Sequence, residues 1–270
     1  MNLLWISKLV VTIGTVLLLS AVAERVSPRV AGILSGYPLG AAIALFFMGV
    51  EIGPGFAGKS AVYTQVGLVA LQLFVYVYFR VSAALPHRGI LISSLAALCA
   101  YVAASAVLHL IPFSAAGALL LPLASVFVFV FLFRRIENVP IARSVRFTWA
   151  VLALRAGLAA FMIIAVTGAA RAVGPAWAGL FAAFPIVLFP LMLIVHMTYG
   201  KSHVHTIIKN FPVGIGALMA YTASVAALYP SVGVGWGTLV SFGAATLYLL
   251  LYGAVLQRVR RRAVRAPTGG

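Results

Sequence analysis

The chain has 270 residues, of which 64% are hydrophobic and 8% charged, and its 19 Lys and Arg against three acids give a formal net charge of +16. A soluble domain carries roughly a quarter charged residues, so this composition excludes an ordinary water-soluble fold and indicates a protein that lies in lipid. A nucleic-acid-binding function is not expected either, because no polar stretch is long enough to form a soluble basic face.

Apolar runs separated by breaks that contain Pro or Gly predict nine membrane-spanning helices. Each run approaches the ~20 residues that a helix needs to cross a hydrocarbon core about 30 Å thick. The expected fold class is therefore an all-α integral membrane protein. In chain order the predicted spans are 3–22, 28–50, 61–83, 89–111, 115–133, 147–167, 175–199, 206–229 and 233–257.

The positions of the basic residues predict the orientation of these spans, because cytoplasmic loops carry an excess of Lys and Arg. With alternate loops on the same side, 15 of the 19 basic residues fall on the side of the Arg-rich tail, two fall on the other side, and Lys8 and Arg155 fall within spans. We therefore expect a multi-pass protein of the cell inner (cytoplasmic) membrane, with its N-terminus outside and its C-terminus in the cytoplasm.

The sequence contains an internal repeat. Residues 28–38 match residues 175–185 at an offset of 147 without a gap, and residues 58–60 match residues 200–202 at a shorter offset. Because one span separates the two copies, the second copy is expected to be inverted, as in many secondary transporters. The predicted organisation is a first four-helix repeat at 1–111, a linker transmembrane helix and cytoplasmic loop at 112–146, a second four-helix repeat at 147–257 and a basic cytoplasmic tail at 258–270.

The second half carries a recognisable pattern of its own. Arg155 lies early in a span, the segment 178–185 reads AGL followed by FP, and His196 lies near the end of the next span. In these features it resembles the small four-span GlpM-like bacterial membrane proteins. The resemblance implies two such units fused head to tail, although the first half departs from the pattern at Ile33 and Gly49. It implies an architecture more than an activity, since the family is linked only loosely to glycerol metabolism and exopolysaccharide production.

Lys8 and Arg155 are the first candidates for a substrate-binding site, and the offset of 147 pairs them. A cation inside a spanning helix costs roughly 2.5–3.5 kcal/mol on insertion scales, so it is a functional-site candidate by default. No acidic residue is expected within the spans to neutralise them, which predicts that an anionic ligand does so. The alternative is snorkelling, in which the long side chain follows the helix to the interface.

Pro38 and Pro185, each about eleven residues into a predicted span, are the second candidates. A proline removes one backbone hydrogen bond, and an interrupted helix would present an N-terminus that favours an anion. Gly36, Tyr37 and Phe184 are expected to complete this substrate pocket. The alternative is close helix packing through small residues four apart, Gly32 with Gly36 and Gly179 with Ala183.

Glu51, at the end of the second predicted span, is a candidate for proton coupling, with a solvated loop acid as the alternative. His196, His203 and His205 do not have the spacing of a closed metal site, so no metal or cofactor is expected. Three carboxylates in the whole chain provide no acid–base pair, and no Ser/His/Asp or Cys/His arrangement is present. The chain is therefore not expected to be an enzyme.

These observations favour a secondary transporter or permease for an anionic small solute or an anionic lipid-linked head group. Two alternatives stay open: a lipid-phosphate flippase, and a non-transporting scaffold subunit of an envelope-polysaccharide complex. The expected partners are membrane lipids and the small anionic solute or lipid phosphate, with a homodimer left open and no nucleic acid.

Overall fold

The computed structural model describes residues 2–23, 33, 35–85, 89–139 and 149–265. The described part of the chain is helical, without a strand. Its nine helices are α1 (Asn2–Ala23), α2 (Leu39–Glu51), α3 (Pro54–Ala84), α4 (Ile90–His109), α5 (Ala115–Phe133), α6 (Trp149–Ala182), α7 (Leu188–Tyr199), α8 (Lys201–Val232) and α9 (Val234–Arg265).

Six of these helices contain apolar stretches long enough to cross a membrane: Pro54–Ala84, Ile90–His109, Ala115–Phe133, Ala156–Ala182, Lys201–Val232 and Val234–Arg258. Three shorter apolar stretches accompany them: Trp5–Thr15, Leu39–Glu51 and Leu188–Tyr199. Large apolar side chains such as Leu91, Phe127 and Trp236 are exposed on α4, α5 and α9. Such a surface is stable in lipid rather than in water, so the expected membrane protein is confirmed. The number of nine spans stays a prediction.

α3 and α8, the most buried of the six long apolar helices, lie side by side and antiparallel at the centre of the bundle. Near the start of α3, a Cβ on Gly58 would lie 2.9 Å from the ring of Pro230, close to the end of α8. Near the end of α3, Ser82 Oγ is 2.9 Å from Nε2 of His205, which belongs to the first two turns of α8. These two helices form the core on which the other elements pack.

Glycines at positive φ precede both central helices. Gly53 (φ 133°) separates α2 from α3, and Gly200 (φ 86°) separates α7 from α8. Residues other than glycine rarely adopt these backbone angles, because their Cβ atom clashes with the backbone. Gly58, in contrast, lies within α3, so the predicted match of 58–60 with 200–202 is wrong as a structural register. Gly53 occupies the position that corresponds to Gly200, at the same offset of 147 as the first repeat block.

The helix interruptions expected at Pro38 and Pro185 are confirmed. A turn at residues 36–38 precedes α2, and residues 183–187 leave the helical path between α6 and α7. Each proline has no N–H to donate, but its carbonyl accepts the first hydrogen bond of the following helix, from Ala42 at 2.7 Å and from Phe189 at 2.9 Å. The helices that follow are short, with 13 residues in α2 and 12 in α7.

Candidate functional site

A small cavity lies where the two helix interruptions meet, and we call it the central cavity. Its volume is about 30 Å³, enough for roughly two water molecules. Of its fifteen lining residues, twelve form six pairs in which the partners are 147 residues apart: Ser35 with Ala182, Tyr37 with Phe184, Pro38 with Pro185, Gly40 with Val187, Ala41 with Leu188, and Leu71 with Leu218.

The first turns of α2 and α7 both border the central cavity. Gly40 and Ala41 belong to the first turn of α2, while Val187 caps α7 and Leu188 is its first residue. The first N–H groups of a helix have no partner within the helix, and its N-terminus carries a partial positive charge. Two such N-termini at one place favour an anion or the electronegative end of a dipole.

Aromatic side chains border the central cavity on two sides. The ring of Tyr37 stacks on Phe242 with centroids 6.0 Å apart, and its hydroxyl lies 2.9 Å from Thr246 Oγ1. Phe184 makes edge-to-face contacts with Tyr101 at 5.3 Å and with Phe74 at 6.1 Å. Both rings are therefore held by neighbouring helices, and a solute larger than water needs their movement to enter.

Close packing, the alternative considered for the small residues near the prolines, is confirmed for Gly36 and Ala183, whereas Gly32 lies outside the described residues. A Cβ on Gly36 would lie 2.5 Å from Cα of Gly214, in α8. At the other interruption, the methyl group of Ala183 would lie 2.6 Å from a Cβ on Gly67, in α3. The two contacts are reciprocal, because residue 36 plus 147 is 183 and residue 67 plus 147 is 214. Small residues thus allow the interruption before α2 to contact α8 and the interruption before α7 to contact α3.

A buried ion pair joins α1 to the end of α2. Lys8 Nζ lies 2.7 Å from Glu51 Oε1 and donates a hydrogen bond of 2.7 Å to Thr167 Oγ1 on α6. The Lys8 side chain is 3% exposed and that of Glu51 is 22% exposed. Arg171, one turn beyond Thr167, donates a hydrogen bond of 2.7 Å to the main-chain carbonyl of Glu51. The Lys8 ammonium group is thus shielded from solvent, whereas the Glu51 carboxylate remains partly exposed to it.

This ion pair corrects the expectation that Lys8 has no acid to neutralise it. The sequence makes Glu51 a candidate for proton coupling, with a solvated loop acid as the alternative, and the structure places its carboxylate beside the Lys8 ammonium. In the structure α2 begins only at Leu39, and Glu51 is its last residue, packed beside α1. Lys8 also lies outside the lining of the central cavity, so the predicted site divides into two places. Arg155 lies within α6, and its side chain is outside the described part of the structure.

Two cavities flank the ion pair. One, of about 410 Å³, is polar and lies between α1, α2 and α6, where Trp5, Lys8, Glu51, Thr167 and Arg171 line it. The second, of about 310 Å³, is apolar and lies between α1, α2 and α9; its lining includes Val11, Phe46, Phe47 and Phe242. Phe47 lines the apolar cavity, and its ring centroid is 5.7 Å from Lys8 Nζ, so the linings of the two cavities are neighbours.

Two histidines, His196 and His205, lie at the end of the bundle opposite the Lys8 pair. His196 Nδ1 on α7 is hydrogen-bonded to the hydroxyl of Tyr78 at 2.8 Å, and the imidazole is buried. His205 is hydrogen-bonded through Nε2 to Ser82 and packs edge-on against Phe79 at 4.8 Å. Among the described residues, no group of three His, Cys, Asp or Glu side chains is placed to hold a metal ion.

The sequence predicted four of the fifteen residues that line the central cavity, and it missed most of the residues around Lys8 and the histidines. The structure brings Tyr37, Pro38, Phe184 and Pro185 to one cavity, as expected, while Gly36 packs beside it. The missed residues are Thr167, Arg171, Tyr78, Ser82 and Gly40. One signal was present: Thr167 and Arg171 are four residues apart and so share one helix face. No protein-family model, curated protein or solved structure matches the chain.

Proposed function

We propose that the chain is a secondary transporter of the bacterial inner membrane, which moves an anionic small solute or an anionic head group through the central cavity. The observation that carries this proposal is the pairing of twelve lining residues at an offset of 147. A cavity lined by the same positions of two repeats lies on the axis that relates them, which is where transporters with inverted repeats bind their substrates.

The proposal includes two inverted four-helix repeats, 1–111 and 147–257. It is supported by the antiparallel arrangement of α3 and α8, by the reciprocal contacts of Gly36 and Ala183, and by the corresponding positions of Gly53 and Gly200. The offset of 147 also pairs identical residues beyond the first repeat block, namely Gly67 with Gly214, Leu71 with Leu218, and Tyr101 with Tyr248. The likeness of the second half to GlpM-like proteins fits this architecture.

The anionic substrate is inferred from the two helix N-termini at the central cavity rather than from unpaired cations, because Lys8 is neutralised by Glu51. In the orientation expected from the basic residues, this ion pair lies at the outer end of the transport path. An arriving anion would compete with Glu51 for Lys8, and protonation of Glu51 would also break the pair. The ion pair is thus the proposed outer gate, with Glu51 as its coupling acid.

A lipid-phosphate flippase is the second candidate, and the apolar cavity between α1, α2 and α9 favours it. Phe47, which lines this cavity of about 310 Å³, has its ring centroid 5.7 Å from Lys8 Nζ in the polar cavity. A head group in the polar cavity would leave an acyl chain in the apolar one. Uptake assays with a soluble organic anion and with a fluorescent lipid phosphate distinguish the two candidates, because only a flippase requires the acyl chain.

Disulfide cross-linking tests the transport proposal. A Cβ on Gly40 would lie 3.5 Å from Cβ of Ile186, within the ~3.5–4.5 Å that a disulfide requires. Cys99 is the chain's one cysteine, so the pair Gly40→Cys and Ile186→Cys is made together with Cys99→Ser.

The transported ligand is identified first, by thermal unfolding of the protein with organic anions, sugar phosphates and polyprenyl phosphates. A ligand at a hundredfold excess over its Kd stabilises the folded protein by about 2.7 kcal/mol.

Uptake of the stabilising ligand is then measured in proteoliposomes before and after oxidation. We expect oxidation to abolish uptake and a reductant to restore it, because the disulfide fills the central cavity and ties the two interruptions together. Each single cysteine variant treated with oxidant is the control. Complete cross-linking with undiminished uptake would exclude the central cavity as the path and would favour a scaffold function.

A further inference from the structure

A second polar cavity lies at the histidine end of the bundle, separate from the central cavity and from the Lys8 pair. It has a volume of about 420 Å³ and lies between α3, α5 and α8. Its polar lining comprises Arg80 from α3, Arg135 and Glu137 from the segment after α5, and Ser202 and His205 from α8. With a neutral imidazole, two guanidinium groups against one carboxylate leave a net charge of +1, so the cavity favours an anion.

The wall of this cavity is fixed by hydrogen bonds between α8 and the segment after α5. Lys209 donates to the carbonyl of Ile136, and Asn210 donates to Asn138 Oδ1 at 3.0 Å. The N–H of Val139 donates to Thr206 Oγ1 at 2.9 Å. These three hydrogen bonds fix the segment that carries Arg135 and Glu137 against α8. Because Lys209 and Asn210 donate to groups of the wall itself, the cationic side chains that line the cavity are those of Arg80 and Arg135.

The other side of the cavity is apolar and continues onto the lipid-facing surface. Phe79 and Leu132 line the cavity, and beyond Leu132 the exposed face of α5 carries Val128, one turn earlier in the helix. A ligand that matches both sides has an anionic group for the arginines and a hydrocarbon part for α5. Guanidinium groups bind phosphate oxygens in a bidentate manner, and basic pockets between helix ends are suited to lipid head groups.

We propose that this cavity binds the phosphate group of an anionic phospholipid, with Arg80 and Arg135 as its ligands and Ser202 as an additional donor. The lipid comes from the surrounding leaflet, and its acyl chains lie along α5. The site is independent of transport through the central cavity. A lipid bound here would hold α3, α5 and α8 together at the end of the bundle.

The test measures the melting temperature and, by native mass spectrometry, the number of bound lipids. The purified protein is titrated in detergent with phosphatidylglycerol, with phosphatidylcholine, and with glycerol 3-phosphate as a soluble phosphate. We expect stabilisation and one retained lipid with phosphatidylglycerol only. Loss of a charge-assisted contact weakens binding about tenfold, so Arg80→Gln together with Arg135→Gln should abolish the shift. Glu137→Gln should tighten binding several-fold, because it removes the one carboxylate.

Arg134 provides the matched control. It neighbours Arg135, but its guanidinium lies 3.8 Å over the ring of Phe131, and it does not line the cavity. Arg134→Gln should bind phosphatidylglycerol as the parent does. The proposal is overturned if Arg134→Gln loses as much as the double variant, or if glycerol 3-phosphate stabilises as well as the lipid. Should the double variant fail to fold, unchanged binding by Glu137→Gln would overturn it instead.

Discussion

At one end of the bundle, Gly49 of α2 packs so tightly that a Cβ there would lie 2.7 Å from Val234. At the other end, 147 residues later, His196 of α7 occupies the corresponding position and is hydrogen-bonded to Tyr78. A second pair of positions shows the same difference: Gly58 in the first half corresponds to His205 in the second. Under the proposed repeat, equivalent backbone positions therefore carry no side chain in the first half and an imidazole in the second.

The ion pair shows the converse difference. Glu51 ends α2 and neutralises Lys8, whereas Thr198, its counterpart near the end of α7, is exposed. Under the proposed repeat, the lining of the central cavity is paired while the two ends differ in chemistry. One end has the ion pair of Lys8 and Glu51, and the other has the buried imidazole of His196 and the partly buried imidazole of His205. The two ends therefore carry different functional groups.

Removing the carboxylate of the ion pair should produce the largest effect. Glu51→Gln leaves the Lys8 ammonium buried without a charged partner, and breaking a buried pair in this way costs about 3–5 kcal/mol. Lys8→Gln should cost less, because Glu51 retains contact with solvent. The measurement is the free energy of unfolding in mixed micelles.

The counterpart Thr198→Val is the control for this comparison. A surface substitution of that kind changes stability by no more than about 0.5 kcal/mol. Combining Lys8→Gln with Glu51→Gln should recover part of the loss, because neither charge is then left alone. Equal losses for Glu51→Gln and Thr198→Val would show that the ion pair does not distinguish the two ends.

A substitution at the helix interruptions should have the next largest effect. Gly36→Ala places a methyl group against the backbone of Gly214, and overpacking costs about 1–3 kcal/mol. Ala183→Gly, the reciprocal change in the other half, removes a methyl group from Gly67 and should cost about 0.8 kcal/mol, the value of one buried CH₂. Unfolding in mixed micelles compares the two variants, and a smaller loss for Gly36→Ala than for Ala183→Gly would contradict the reciprocal packing.

The sequence predicted the residues around the two prolines because the information was local. Pro38 and Pro185 interrupt helices through their own geometry, and an ungapped offset aligned them before any contact was known. The partnership of Lys8 with Glu51 is different, since 43 residues separate them and the length of α2 decides whether they meet. The wrong match of Gly58 with Gly200 has a compositional cause: with 25 glycines in the chain, identities at a wrong offset are common. Backbone angles at Gly53 resolve the register, and sequence alone does not contain them.

The smallest expected effect compares two tyrosines at equivalent positions. Tyr101 on α4 donates a hydrogen bond of 2.5 Å to the carbonyl of Leu180, and its side chain is buried. Tyr248 on α9 donates one of 3.3 Å to the carbonyl of Val213 and is only half-buried. Hydrogen bonds between membrane helices contribute about 0.6 kcal/mol on average and at most about 1.7.

We therefore expect Tyr101→Phe to lose about 1 kcal/mol of unfolding free energy and Tyr248→Phe to lose less than about 0.5 kcal/mol. Tyr252→Phe, next to Tyr248 in a stacked pair, is the control without a hydrogen bond to lose among the described contacts. A larger loss at Tyr248 than at Tyr101 would mean that the second half depends more on its outer helix than the first. In that case the two halves would differ in how they are held together, and not only in the chemistry at their ends.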